Sequence, residues 1–200
     1  MIARILALVA LLVAVAGCGG SSTSSTSAGA TAASSAPHAC HYRKTGTDPL
    51  MVRQDHRCTP GVTNPDVTQA NLASTACKTG WTATVRPPLS VTSKIKDQSL
   101  KDYGLPASAA ATTELDHLIP LELGGAPADP KNLWVEPNYP NGPHPTRFDH
   151  NPKDVVEFRL RNAVCAGRVP LAAAQKAIAT NWTTALVVTH LVTPSPSPSK

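Results

Sequence analysis

Four cysteines constrain this chain more than any other feature. Cys40, Cys58, Cys77 and Cys165 follow what reads as an export signal, and an even number of cysteines in an exported chain reads as two disulfides. Four cysteines allow three pairings. The reading adopted is Cys40–Cys58 with Cys77–Cys165. The long second loop then carries the larger chain-entropy effect, about 4–5 kcal/mol in the simplest treatment. Zinc is the rival use, but no cysteine pair has the close C-x2-C spacing. Aromatic residues are scarce: three Trp, three Tyr and two Phe, all between Tyr42 and Trp182, so the packed core should lie there. Proline is 19 of 200 residues, which argues against a helical bundle and for a loop-rich fold.

The ends of the chain look unlike its middle. Met1 to Cys18 has one positive residue, Arg4, and then an unbroken apolar run from Ile5 to Ala16. That run is too short for a permanent bilayer helix, which needs about 20 residues, and reads as a signal peptide over 1–17. It closes on Val15-Ala16-Gly17-Cys18, which resembles the bacterial lipobox, in which the cysteine is lipidated and becomes the new N-terminus. Lipidation of Cys18 would anchor the protein to the cell membrane, facing the extracellular side; an ordinary cleaved signal would leave it secreted. Residues 19–37 are almost all Ser, Thr, Ala and Gly and read as a tether. The Pro-Ser repeat of 193–200 reads as a disordered tail. About 150 residues remain for one folded domain over 38–192, enough for a single core and too few for a large multidomain enzyme. The formal net charge of +5 suits a polyanionic partner, but only weakly.

Within the domain, residues 38–64 are rich in turn signals. Trp81 to Val85 alternates large and small residues before Arg86-Pro87-Pro88 and predicts a short strand. Ser93 to Tyr103 predicts a helix capped by Ser93 and stopped by Gly104. Glu114 to Pro120 predicts a strand running into a loop over Leu121 to Lys131, and Asn132 to Val135 a second strand. Pro152 to Cys165 predicts a helix with Val155, Val156, Phe158, Leu160 and Val164 as its apolar residues. A last helix carries Leu171, Ala174, Ile178 and Trp182, with Pro170 at its start. Trp81, Trp134 and Trp182 are assigned to the core rather than to base stacking.

Chemistry concentrates in Glu114-Leu-Asp116-His117-Leu-Ile-Pro120-Leu-Glu122-Leu-Gly124-Gly125, followed by Asn132-Leu133-Trp134. Phosphodiester hydrolysis needs a base for water, a cation for the developing charge, and positioning. A histidine titrating near neutrality can take the proton, worth typically about 10²–10⁴-fold. A carboxylate is a hard ligand suited to a divalent ion. Asp116 beside His117 offers both at one point. One geometric objection stands: neighbouring strand residues face opposite ways, so the strand must end or bulge there.

The adjacent Asp-His pair, the Gly-Gly loop, the Asn-Leu and the helix after them resemble the HNH, or His-Me finger, nuclease superfamily over Glu114 to Cys165. Cys58-Thr-Pro-Gly61, Gly80-Trp81, Val85-Arg86-Pro87, Val164-Cys165-Ala-Gly167, Ala174-Gln175 and Trp182 also look like small exported HNH-like proteins. The resemblance implies an α+β fold with a ββα-metal core, flanking helices and disulfide staples. It implies His117 as general base, Asp116 as metal ligand, and Asn132 as the residue that holds the loop and orients His117. The family's remaining ligand is a His or Asn near the helix start. Asn138, Asn141, His144, His150 and Asn151 all lie there, and spacing does not choose among them. Capping the helix accounts for Asn151, so His150 is preferred and Asn151 comes next. Arg147 is a candidate for the scissile phosphate. Lys153, with Arg159 and Arg161, is a candidate for phosphate contact, against the alternative of a solvated helix face. The implied cofactor is one divalent ion: Mg²⁺ first, with Mn²⁺, Ca²⁺ or Zn²⁺ as alternatives. The implied activity is metal-dependent cleavage of nucleic acid, DNA first, outside the cytoplasm. The rival is a catalytically degenerate, envelope-anchored binding protein on the same scaffold.

Overall fold

A computed structural model describes residues 40–138 and 151–193. The fold is mixed α+β with two small antiparallel sheets. In the first, β1 (Arg43–Lys44) pairs with β2 (Val52–Arg53). In the second, β3 (Thr113–His117) pairs with β4 (Leu133–Pro137), with Asp116 opposite Trp134 and Glu114 opposite Glu136. The helices are α1 (Trp81–Val85), α2 (Leu89–Asp102), α3 (Pro152–Cys165), α4 (Leu171–Asn181) and α5 (Ala185–Val188). The disulfides are Cys40–Cys58 and Cys77–Cys165, as paired from the sequence. Such bonds suit an oxidising, extracytoplasmic environment. No helix among the described residues is long and apolar enough to cross a membrane. The proposed signal, Cys18, the tether and the tail from residue 194 lie outside the described residues.

The β3–β4 hairpin separates two apolar clusters. Ile119 and Leu123 pack with Val156, Leu160, Ile178 and Trp182 from the C-terminal helices. The adjacent Leu118 turns the other way, to Leu100, Tyr103, Trp134 and Val135. The outer edge of β4 is closed by side chains. Ser99 Oγ accepts from Val135 N at 3.1 Å, and the Tyr42 hydroxyl donates to Val135 O. Those bonds satisfy main-chain groups that a two-stranded sheet would otherwise leave open. Between the strands the loop needs both glycines. Gly124 has φ +71°, and a Cβ there would come within 2.7 Å of Val67. A Cβ on Gly125 would sit 1.7 Å from Ile119 O. Only glycine lets the loop lie this close to the chain that follows β3.

Helix α3 spans the residues the sequence predicts, because its start is written locally. Asn151 Oδ1 accepts from Lys153 N at 3.0 Å, and Pro152 takes the first helical position. Its buried stripe is Lys153, Val156, Leu160, Ala163 and Val164. Val155 and Phe158, two of the helix's apolar residues, are 36% and 61% exposed, because they lie on the opposite side of that 3.6-residue stripe.

Three expectations are corrected. Trp81–Val85 is a helical turn, not a strand. Among the described residues no strand lies alongside to accept a ladder, whereas a helical turn satisfies the main chain locally, with Arg86 N donating to Thr82 O at 3.1 Å. Helix α2 starts at Leu89 and leaves Ser93 inside it. The Pro87-Pro88 pair sets extended backbone just before the start, and Val91 and Thr92 donate to Pro88 O, so no side-chain cap is used. In α4, Pro170 is the cap and Trp182 falls in the next 3-10 turn, while Gln69 Oε1 accepts from Leu171 N at 2.7 Å.

Candidate functional site

His117 is the last residue of β3, and the chain turns at Leu118-Ile119-Pro120. Asp116 and His117 therefore both reach one small polar cleft of about 210 Å³, which answers the objection from strand alternation. The cleft is lined by the carboxylates Glu114, Asp116, Glu122, Asp154 and Glu157, with His117 and Arg86 beside them.

His117 is 8% exposed, and its Nε2 lies 2.9 Å from Pro127 O. A carbonyl can only accept, so Nε2 carries the proton and Nδ1 is left as the basic nitrogen. Burial lowers the imidazole pKa, and the charges of Arg86 and Lys153 push the same way; the Pro127 carbonyl and Asp116 oppose them. The ring is therefore neutral at pH 7 and able to take a proton.

Asn132 is fully buried and lies outside the cleft. Its Oδ1 accepts from Ile119 N at 3.0 Å and Val62 N at 3.3 Å. Its Nδ2 donates to Ile119 O at 3.0 Å and to Ala126 O at 3.1 Å. One amide thus ties the end of β3 to the loop whose next carbonyl, that of Pro127, holds His117. Asn132 acts on His117 through this loop rather than by touching it.

Asp116 uses one oxygen for structure. Its Oδ2 accepts from Trp134 Nε1 at 3.0 Å and from Lys153 Nζ at 2.6 Å, while Oδ1 has no hydrogen-bond donor among the described residues. The Lys153 ammonium also donates to His117 O at 2.9 Å and to Glu157 Oε1. Burial works against that charge, yet Asp116, Glu157 and Glu136 outweigh it and the lysine pKa is raised.

Around this pair lie carboxyls that burial drives toward neutrality. Glu114 is pushed up to about 7 by burial, then by the charges of Asp116 and Asp154. Glu136 is completely buried, and neither of its oxygens has a hydrogen-bond partner among the described residues. Burial and the charge of Asp116 hold its pKa well above the usual carboxylate range. Glu157 is raised by burial, against the pull of Lys153. Glu122 is raised by burial as well.

Two predicted site residues are corrected. Lys153 cannot bind phosphate as assigned, nor does it lie on a solvated face: it is fully buried and its three N–H groups are spent on Asp116, His117 and Glu157. Asn151 is no metal donor: it is fully buried, its Oδ1 caps α3, and its Nδ2 donates to Pro137 O at 3.2 Å. Arg161 reaches Cys77 O at 3.3 Å and supports packing, and Arg159 is exposed. Trp134 and Trp182 are buried and Trp81 packs against the core, as expected. His150, Arg147, His144 and Asn141 lie outside the described residues. Several site residues carry no sequence assignment. Glu114 was legible in principle, two positions before Asp116 and so on its face of the strand. Arg86 stood in the sequence only as part of the Val85-Arg86-Pro87 resemblance, with no role attached, and Glu157 and Glu136 had no such signal.

Among the described residues, no group of three or more His, Cys, Asp or Glu side chains is already arranged to hold a metal ion. Comparison with models of known protein families, with curated proteins and with solved structures finds no match for this chain.

Proposed function

We propose that this chain is an exported, metal-dependent nuclease of the HNH type, with β3, β4 and α3 as its ββα core. The observation that carries the reading is the state of His117. A carbonyl holds its Nε2–H, so Nδ1 is a free base, and Asp116 stands beside it in the same cleft. In this mechanism His117 Nδ1 takes the proton from a water as that water attacks phosphorus. The new P–O bond forms as the bond to the leaving deoxyribose oxygen breaks, and that oxygen departs as the alcohol after taking a proton from solvent. Asn132 and Pro127 keep the ring in register, and Lys153 fixes Asp116 while drawing the His117 main chain toward α3.

The donor chemistry fits a hard divalent ion such as Mg²⁺: Asp116 Oδ1 is uncommitted, and every other anionic group of the cleft is a carboxylate. When bound, that ion would supply charge neutralisation at the phosphoryl oxygens. Asp116 would hold it together with a further donor, for which His150 remains the candidate from the sequence. Lipidation at Cys18 would keep the enzyme on the outer side of the membrane, where it would meet extracellular DNA.

A second reading has its own observation. Lys153 already neutralises Asp116, and no ready ligand triad surrounds it. A degenerate binding protein on this scaffold would look the same. A plasmid-nicking assay on the oxidised protein decides between them, comparing wild type and His117→Ala with Mg²⁺, Mn²⁺, Ca²⁺ and EDTA. Metal-dependent cleavage lost in the variant is the expected result. Intact plasmid under every metal would sink the nuclease reading in favour of the binding protein.

A further inference from the structure

We propose that Arg86 is the phosphate-binding residue of the cleft, which deepens the nuclease reading and rests on it. Among the described residues lining the cleft, Arg86 is the one basic side chain besides His117. A cleft walled by acidic side chains, however many of them burial neutralises, has nothing to attract a phosphodiester, so a substrate that reaches His117 needs a cation at the mouth. Lys153 cannot serve, because its donors are spent.

Arg86 is free to do so. It is exposed, and its guanidinium makes no hydrogen bond or ion pair with the described residues. Five carboxylates line the same cleft, yet none of them holds it. Its charge is close enough to be felt at His117. The guanidinium fork suits two oxygens of one phosphate.

The backbone explains the placement. Arg86 directly follows α1 as its C-cap, its N–H bonded to Thr82 O at 3.1 Å, with φ −65° and ψ 126°. Pro87 and Pro88 forbid another helical turn, so the residue stays at the rim. Upstream, Cys77 is bonded to Cys165 at the end of α3, and Cys77 O accepts from Arg161. The segment carrying Arg86 is thus fastened to the helix that supplies Asp154 and Glu157.

The test uses the full oxidised chain as wild type, Arg86→Gln and Arg86→Lys, with thermal melts to check folding. We expect Arg86→Gln to lower kcat/KM on plasmid by about 10²-fold, the scale of losing one charge-stabilising donor, and Arg86→Lys to recover part of the loss. A second readout needs no cleavage. Inorganic phosphate, titrated in EDTA, should move the side-chain Nε–H NMR signal of Arg86 more than that of the exposed Arg159. If wild type cuts and Arg86→Gln cuts within about twofold of it, the assignment of Arg86 is overturned while the nuclease reading stands. If wild type cuts nothing but phosphate still moves the Arg86 signal selectively, cleavage fails and the anion site stands. A phosphate response at Arg86 no larger than at Arg159 overturns the assignment in either case.

Discussion

Asp55 and Asp116 are both largely shielded and both ion-paired to a basic side chain, Arg57 at 2.8 Å and Lys153 at 2.6 Å. Around Asp55 everything is satisfied. Its Oδ1 accepts from Arg57 N and Nε, and its Oδ2 from Arg57 Nη2 and His41 N. The cation lies outside, 63% exposed, and the Cys40–Cys58 bond closes the same stretch of chain. Around Asp116 the order is reversed. The cation is the fully buried partner, and among the described residues one carboxylate oxygen is left over and Glu114 and Glu136 keep oxygens with no partner. The first arrangement fastens a loop. The second holds charge in tension beside an open cleft, at the cost of unmet hydrogen bonds, a pattern on which the proposed function draws.

The sharpest way to break this comparison is activity. His117→Ala should lose about 10²–10⁴-fold in plasmid nicking with an unchanged circular dichroism spectrum, whereas Asp55→Asn should leave the rate per folded molecule unchanged. Equal losses from both would erase the distinction. Next come the staples. Replacing Cys77 and Cys165 by Ser should cost about 4–5 kcal/mol in urea unfolding, against about 3 kcal/mol for Cys40 and Cys58, because the closed loops span 88 and 18 residues. Only the first pair should also slow cleavage, since it anchors the Arg86 segment to α3.

Lys153→Met should destabilise by about 3–5 kcal/mol, because it strands Asp116 and Glu157 without their cation. Arg57→Met should do much less by the same measurement, because solvent replaces an exposed guanidinium. The smallest effect is a difference of sign with pH, read from urea midpoints in EDTA. The Arg57 hydrogen bonds hold Asp55 well below the usual carboxylate range, so its contribution is present above the ordinary value of 3.8 and is lost as pH falls through the lowered one. Glu114 runs the other way. Burial raises it from 4.5 to about 7, so its contribution is complete below 4.5 and is lost as pH rises through 7. Asp55→Asn should flatten the acid limb, and Glu114→Gln the neutral one.

Much of the scaffold was legible because its causes are local. Asn151-Pro152 announces the start of α3 by cap chemistry, and Gly124-Gly125 marks the tight loop. The Asp116-His117 pair marked the place where the cleft opens. Trp81–Val85 misled because alternation over five residues describes a strand only if a neighbouring strand exists. Val155 and Phe158 were ambiguous because a helix with scattered apolar residues does not say which stripe will be covered.

The sequence by itself determined the hairpin, its glycine loop, the capped helix after it and the even set of cysteines. Each follows from backbone sterics or covalent arithmetic within a few residues. Only the tertiary structure decided what the charges do. Asp116 meets Lys153 across 37 positions of sequence, and Arg86 reaches the cleft from a helical turn that precedes β3 by a whole helix. Burial then turned a lysine that reads as solvent-facing into an internal counter-ion and pushed the neighbouring glutamates toward neutrality. Desolvation depends on everything packed around a group, and no window of sequence contains that.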